Sequence, residues 1–163
     1  MNHKGFTILE LLIVVAIIGI LTGIVLASLN NSRSKGGDSA VKADLANTRS
    51  QASLYFISNN NYGTMVAAVG ATSCTSGAAN TIFVLDTLMA NQISAAKSAG
   101  SGIVSCLNTL TGGGAWAVTA NLKTDATLFW CVDSAGVSKL SGVASPASTQ
   151  TYADSVVAGA KCN

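Results

Sequence analysis

The sequence has few charged residues and almost no histidine, and these shortages argue against several classes of protein. Only 10% of its 163 residues are charged, against roughly 25% in an ordinary soluble domain. The single histidine, His3, stands near the start of the chain, which argues against His-dependent nucleophilic catalysis and His-ligated zinc. The nine lysines and arginines form no basic block, and the formal net charge is only +2. A nucleic-acid binder that neutralises phosphates would need a clustered basic face.

Motifs for catalysis and for nucleotide binding are also missing. The sequence has no GxGxxG, P-loop or GxSxG pattern, and the glycine triplet Gly112–Gly114 precedes a predicted strand rather than a helix. Asp125 and Asp133 flank another predicted strand. Without a histidine or an acidic cluster beside them, we interpret both as solvated turn residues, with a calcium site as the weaker alternative. We therefore predict a protein that is not an enzyme and that needs no cofactor or metal.

Apolar residues make up 49% of the chain, and many of them stand in one N-terminal run. The run from Phe6 to Leu29 contains a single charged residue, Glu10. As a helix it would span roughly 36 Å, enough to cross the hydrocarbon core of a membrane, which is about 30 Å thick. Gly19, Gly23 and Ala27 recur at one-turn spacing and form a ridge of small residues. Such a ridge favours close helix packing, although glycine is common in membrane helices in general.

A second helical pattern follows the apolar run after a polar stretch at residues 30–37. Between Asp38 and Asn59, apolar residues return at helical spacing, which predicts an amphipathic helix. The predicted buried face of this helix, called the stripe below, consists of Val41, Leu45, Thr48, Ala52 and Tyr55. We predict one long helix over both segments, with Asp38 or Ser39 as an N-cap if Gly36-Gly37 interrupts it.

Short strands and turns are predicted beyond a stop signal at residues 59–63. Residues 64–80 are predicted as an irregular loop, and residues 82–97 as one amphipathic helix that buries Leu85. Alternating patterns predict three strands, at residues 115–122, 128–132 and 137–140. The predicted fold class is therefore α+β, with a long N-terminal α-helix packed on a small antiparallel β-sheet head.

Four cysteines lie beyond the apolar run, at spacings that match no CxxC, zinc-ribbon or thioredoxin pattern. An even number of cysteines beyond a membrane segment is typical of structural disulfides in an oxidising compartment. Four buried thiols are the alternative. Four cysteines allow three pairings, and the sequence alone does not choose among them. We predict Cys74–Cys106 and Cys131–Cys162, which would staple the loops of the head.

The string KGFTILE at residues 4–10, joined to the apolar run, resembles the class III leader of type IV pilins and pseudopilins. The resemblance is close over the first helix segment and loose beyond it. It implies that a prepilin peptidase cuts between Gly5 and Phe6 and methylates the new amino terminus at Phe6. It also implies that Glu10 is the assembly residue, paired with the amino terminus of a neighbouring subunit. One departure is Ala27, because many pilins have a helix-kinking proline at this place.

Two other interpretations of this N-terminus stay open. Thr7 and Glu10 fit a capping box, in which the carboxylate only stabilises the start of the helix. An ordinary signal peptide cut before Ser28 is the other interpretation, although the apolar run is longer than usual and contains an acid. A carboxylate inside a membrane helix costs roughly 2.5–3.5 kcal/mol, which favours a partner for Glu10.

The resemblance implies a structural subunit, and the interpretation it favours is a major pilin. It divides the chain into a leader (1–5), a transmembrane and filament-core helix (6–29), an amphipathic second half of the helix (30–58) and a globular head (59–163). The subunit would wait as a single-pass protein in the cytoplasmic membrane and polymerise into an extracellular filament. Its partners would be other copies of itself, the prepilin peptidase and the membrane assembly machinery, with no nucleic acid bound directly. A type II secretion pseudopilin is the nearest alternative, and a signal-anchored or secreted binding domain is the alternative from another class.

Overall fold

The computed structural model describes residues 5–63, 69–70, 74, 81–108, 114–142 and 161–162. The leader before Gly5, most of the predicted 64–80 loop and most of the C-terminal tail lie outside the described residues. The chain divides into two compact units, Met1–Ser34 and Lys35–Asn163. One helix, α1, covers Ile8–Asn59. The predicted long helix is thus confirmed, and Gly36-Gly37 lies inside it without interrupting it.

In the second unit, α1 buries the stripe that its periodicity predicts. The fully buried residues of the stripe are Val41, Leu45, Thr48 and Ala52. The hydroxyl of Thr48 donates to the backbone oxygen of Asp44 at 2.9 Å, so this buried polar group has a partner. The helix ends at Asn59, and Asn60 then adopts a φ of 54°. Asparagine enters this left-handed region more readily than most residues, which explains the predicted stop signal.

The head contains an antiparallel sheet whose spatial order follows the order of its strands in the chain. Its strands are β1 (Val69–Gly70), β2 (Val104–Asn108), β3 (Trp116–Asn121), β4 (Leu128–Asp133) and β5 (Ser138–Gly142). The predicted α+β class is confirmed. Two of these strands, β1 and β2, are not predicted from the sequence. Strand β1 lies inside the predicted loop and is too short to alternate, and β2 is almost entirely buried, so it shows no polar face.

The two faces of the sheet bury different clusters, as the alternation in β3 and β4 predicts. The larger core joins the sheet to α1 and includes Trp116, Val118, Ala120, Leu122 and Val132. The opposite face holds a smaller cluster of Ala117, Cys131 and Cys162, with Leu107 packed against it. Strands β2, β3 and β4 therefore contribute residues to two separate apolar environments.

The single helix predicted at residues 82–97 is wrong, because the chain forms two helices there. Helix α2 covers Ile82–Leu85 and α3 covers Thr87–Ala99. Asp86 lies between them with extended backbone angles, and its side chain accepts the N–H of Met89 at 2.9 Å as the N-cap of α3. This break turns Leu85 outward to 48% exposure, whereas Met89 is fully buried.

Both predicted disulfides are present, and they lie on different faces of the sheet. Cys74 is bonded to Cys106 of β2 in the larger core. Cys131 of β4 is bonded to Cys162 on the opposite face. The Cα atoms are 5.5 Å and 5.7 Å apart, within the usual range for disulfides. Among the three possible pairings, the chain therefore uses the predicted one.

Gly37 allows α1 to approach the rest of the head closely. A Cβ atom on Gly37 would lie 2.7 Å from the backbone oxygen of Ala99 and 3.0 Å from the Cβ of Lys123. A Cβ on the neighbouring Gly36 would meet nothing within 4 Å. The structure therefore gives Gly37 a packing role rather than the role of a helix breaker.

Asp38 connects α1 to the loop between β3 and β4 instead of capping a second helix. One carboxylate oxygen accepts the backbone N–H of Lys123 at 2.6 Å and that of Thr124 at 3.1 Å. The other accepts the hydroxyl of Thr124. Since α1 runs uninterrupted through this position, the condition for an N-cap at Asp38 or Ser39 is not met.

Candidate functional site at the N-terminal segment

The N-terminal segment, residues 5–29, exposes its apolar side chains to an unusual degree. The large apolar side chains from Phe6 to Leu29 are 45% to 85% exposed. By length and composition, α1 contains a stretch that could cross a membrane, and none of that stretch is buried inside the protein. Monomeric soluble proteins rarely leave so large a contiguous apolar surface uncovered. The apolar surface of this segment therefore needs to be shielded from water, and the described part of the chain does not shield it.

The predicted cleavage site lies in accessible backbone just before the helix. Gly5, Phe6 and Thr7 precede the first helical residue, Ile8, and all three are exposed. Phe6 is 85% exposed. Peptidases act most readily on accessible chain outside regular structure. The geometry suits cleavage between Gly5 and Phe6, while the cleavage and the methylation of Phe6 stay predictions.

Glu10 and Thr7 form the capping box that the sequence offered as an alternative. Oε2 of Glu10 accepts the backbone N–H and the hydroxyl of Thr7, both at 2.9 Å. The Thr7 hydroxyl oxygen in turn accepts the backbone N–H of Glu10 at 3.2 Å. These bonds satisfy polar groups that a helix start leaves without intrahelical partners. In the single chain Glu10 is thus held by its own first turn, and its role between subunits stays a prediction.

The two glycines of the small-residue ridge have no packing partner among the residues that the structure describes. A Cβ atom on Gly19 or Gly23 would meet nothing within 4 Å. Contacts inside the protein therefore do not require glycine at either position. Packing of Gly19, Gly23 and Ala27 against another helix stays a prediction. Thr22, on the same helix, donates its hydroxyl to the backbone oxygen of Ile18 at 2.7 Å, so its polar group is satisfied within the apolar run.

The two aspartates that flank β4 differ from each other. Asp125 is exposed, as predicted, and hydrogen bonds from the hydroxyl and backbone N–H of Thr127 lower its pKa. The prediction of a solvated Asp133 is wrong, because this residue is only 1% exposed. Its carboxylate accepts backbone N–H groups, one of them from Cys162. The described residues contain no group of His, Cys, Asp and Glu that could hold a metal ion.

Comparisons with known proteins agree with the geometry of the N-terminal segment. The family described as "Prokaryotic N-terminal methylation motif" matches residues 1–26. This range includes the predicted cleavage site, Glu10 and two glycines of the ridge. No solved structure matches the chain significantly.

Curated relatives extend the match into the head. The type IV wide pilus major component PilA4 of Thermus thermophilus is 38% identical over 90 residues, which cover 55% of this chain and 69% of that protein. The type II secretion system core protein G of Dickeya chrysanthemi is 31% identical over 70 residues, 43% of this chain and 46% of that protein. The core protein G of Pectobacterium carotovorum is 30% identical over 61 residues, 37% of this chain and 39% of that protein.

An exposed apolar helix with a methylation motif at its start, followed by a small α+β head, defines the pilin-like class of structural proteins. The chain belongs to the family of type IV pilins and type II secretion pseudopilins. The resemblance drawn from the residues alone is thereby confirmed.

Proposed function

We propose that the chain is the major subunit of a type IV pilus. The observation that carries this proposal is the N-terminal segment, whose large apolar side chains are at least 45% exposed. Before assembly, lipid would cover these side chains while the segment spans the cytoplasmic membrane. After assembly, the same segments of other copies would cover them in the core of an extracellular filament. Either cover keeps these side chains out of water, which is worth about 25 cal/mol per Å² of apolar surface relative to the exposed segment.

The proposal assigns each part of the chain a role. Residues 1–5 are a leader that a prepilin peptidase removes, and the same enzyme methylates Phe6. Residues 6–29 form the membrane and filament-core helix, residues 30–58 connect it to the head, and residues 59–163 form the filament surface. The match of residues 1–26 to the methylation motif supports the processing step. The partners are other copies of the chain, the peptidase and the assembly machinery of the membrane.

Glu10 is proposed to pair with the amino terminus of Phe6 in a neighbouring copy. In the single chain, its carboxylate lies in the exposed first turn of α1, where another copy can reach it. In the filament core, a lone carboxylate or ammonium would lose its hydration without compensation. Pairing the two charges removes that cost and fixes the axial position of one subunit against the next. The ridge of Gly19, Gly23 and Ala27 would let the helices approach closely.

A pseudopilin of a type II secretion system is the second candidate, and the similarity to core protein G favours it. Coverage favours the pilus subunit, because the match spans 69% of the pilus component but only 46% of the secretion protein. The two disulfides also suit a head that works outside the cell. Immunogold electron microscopy with an antibody against the head separates the candidates. Long labelled surface filaments support the pilus, whereas secretion that fails on deletion without such filaments supports the pseudopilin.

Mass spectrometry of the mature amino terminus tests the family-type processing directly. We expect the protein purified from its own cells to begin with N-methylated Phe6. A chain that begins at Ser28 would indicate ordinary secretion, and one that retains residues 1–5 would indicate a signal anchor. Recovery of Lys4 in an N-terminal peptide from assembled filaments would overturn the proposed processing.

A further inference from the structure

Cys162, near the end of the chain, is held by two residues of β4. The sulfur of Cys131 is bonded to its sulfur. Asp133 accepts its backbone N–H on Oδ2 at 3.0 Å. Positions two apart in a strand face the same side of a sheet, so both groups lie on the face opposite the larger core. Asp133 is 1% exposed and Cys162 is 9% exposed, so water does not compete for this hydrogen bond.

The turn between β4 and β5 orients the carboxylate of Asp133. Oδ1 accepts the backbone N–H of Ala135 at 3.0 Å and that of Val137 at 2.9 Å. Gly136, between these donors, adopts a φ of 90°, which few other residues tolerate. The donors stand two and four residues after the aspartate. Because these hydrogen bonds are local, the hairpin can orient the carboxylate of Asp133 before the N–H of Cys162 binds to it.

We propose that Asp133 is a positioning residue for the formation of the second disulfide. By capturing the amide of Cys162, it places the thiol of that residue against Cys131 and so favours one of the three pairings that four cysteines allow. A hydrogen bond to a carboxylate is stronger than one between neutral groups. The Asp133 carboxylate is therefore well suited to hold the segment that carries Cys162.

Asp133 positions the two cysteines and takes no part in the transfer of electrons. In the redox step, a bond forms between the sulfurs of Cys131 and Cys162, and their two thiol protons are released. The two electrons reduce a disulfide oxidant, such as oxidised glutathione, to two thiols. Asp133 raises the effective concentration of one cysteine at the other. Its removal should therefore weaken this disulfide and leave the Cys74–Cys106 bond unchanged.

Redox titration of the full chain in detergent micelles tests this inference. The protein is equilibrated with mixtures of reduced and oxidised glutathione, free thiols are alkylated, and each disulfide is quantified by peptide mapping. For Asp133→Asn, we expect the second disulfide to need a mixture roughly tenfold more oxidising for half-formation, because a hydrogen bond to a charged group is lost. Unchanged formation, or an equal shift of both disulfides, would overturn the proposal.

Asp125→Asn is the matched control for this titration. It also removes a carboxylate that accepts hydrogen bonds in a turn beside β4, but its donors are the N–H and hydroxyl of Thr127. We expect both disulfides to form as in the unaltered chain. A shift of the second disulfide in this variant as large as in Asp133→Asn would show that any loss of a turn carboxylate is sufficient, and the inference would be wrong.

Hydrogen exchange provides a second test that does not require the Asp133 variant to fold. In a chain carrying Cys131→Ser and Cys162→Ser, no covalent bond holds the chain end, but the carboxylate of Asp133 remains. We expect the backbone amide at position 162 to exchange at least tenfold more slowly than an unprotected amide. Exchange at the unprotected rate would show that Asp133 does not capture this amide by itself, which contradicts the proposal.

Discussion

The two halves of α1 share one helix but differ in what covers them. Every described side chain from residue 8 to residue 33 is exposed. Beyond Lys35 the buried residues return at helical spacing, and Val41, Leu45 and Ala52 are fully buried. A stripe needs only one packing surface, whereas a helix that is apolar all round needs an apolar environment on every side. The described part of the head therefore covers the second half, whereas it leaves the first half uncovered.

The carboxylates on the two halves show the same contrast. Glu10 is hydrogen-bonded to Thr7, three residues away in its own turn. Asp38 accepts a hydrogen bond from the backbone N–H of Thr124, 86 residues away. The first half thus satisfies its acid within its own turn, and its large apolar side chains stay exposed in the described part of the chain. In the second half, the carboxylate of Asp38 attaches the helix to the head through its hydrogen bonds with Lys123 and Thr124.

Replacing the acid of the first half should have the largest effect, the loss of filaments. In Glu10→Val, the ammonium of a neighbouring Phe6 would enter an apolar core without its counter-charge. Removing one partner of a buried pair costs about 3–5 kcal/mol, and the loss recurs at every subunit. Electron microscopy should find no filaments, while immunoblots show normal membrane levels of processed subunit.

Thr7→Val is the control that separates the two roles of Glu10. It breaks the capping box and costs about 1 kcal/mol of helix stability, but it leaves the carboxylate in place. We expect Thr7→Val to assemble. Normal filament numbers in Glu10→Val would show that capping is the whole role of this glutamate.

Two leucines of α1 test the contrast in burial. Leu45 is fully buried and Leu21 is 56% exposed. Leu45→Ala should lower the free energy of unfolding of the head by about 2–5 kcal/mol, because it leaves a cavity. Leu21→Ala should change it by no more than about 0.5 kcal/mol. Denaturant titration in detergent, followed by tryptophan fluorescence, measures both, and similar losses would contradict the division of the helix.

The adjacent glycines Gly36 and Gly37 should respond with opposite signs. Gly37→Ala brings a Cβ to 2.7 Å from the backbone oxygen of Ala99 and should destabilise the head by about 1–3 kcal/mol. Gly36→Ala meets nothing within 4 Å and should stabilise the helix by up to about 1 kcal/mol. Thermal unfolding of the two variants is the measurement. Equal effects would show that the close approach at Gly37 does not constrain the head.

The smallest expected effect concerns Asp38 and depends on pH. Burial opposes its ionisation, but hydrogen bonds from Thr124 and Lys123 and the charge of Lys42 outweigh burial and lower its pKa. A lowered folded-state pKa contributes stability above the unfolded value of about 3.9, and that stability disappears as the pH falls through the folded value. Because solvent screens this site, Asp38→Asn should cost no more than about 1 kcal/mol at pH 7. Unfolding curves should converge with those of the unaltered chain as the pH falls below the lowered pKa of Asp38, and a constant difference would contradict the assignment.

Structural features that depend on residues close together in the sequence were predictable. The stripe on α1 and the two faces of β3 and β4 follow from periodicity, because alternating polarity reflects which side is buried. The capping box follows from the spacing of Thr7 and Glu10. The break at Asp86 was missed because the apolar spacing on either side of it continues as if one helix were present. A single capping residue was enough to turn Leu85 outward.

Features that depend on distant contacts were not predictable. Asp133 has the sequence context of an exposed turn, but it is buried and accepts the N–H of Cys162, 29 residues away. Gly37 has the context of a helix breaker, and its packing role depends on Ala99 and Lys123. In each case the partner comes from another element, and no local pattern records it.

The strand order of the sheet also has a consequence for the sequence of events in folding. Strands β2 to β5 each pair with the next strand across a short loop, so these hairpins can form early, whereas α2 and α3 lie between β1 and β2. The anchors of α1 are different, because Arg49 donates to the backbone oxygen of Val137, 88 residues later. Although α1 is the first described element to be synthesised, this contact can form only after Val137 has been made. The hydrogen bonds from Lys123 and Thr124 to Asp38 can form earlier, so α1 gains its anchors in the order in which the head is synthesised.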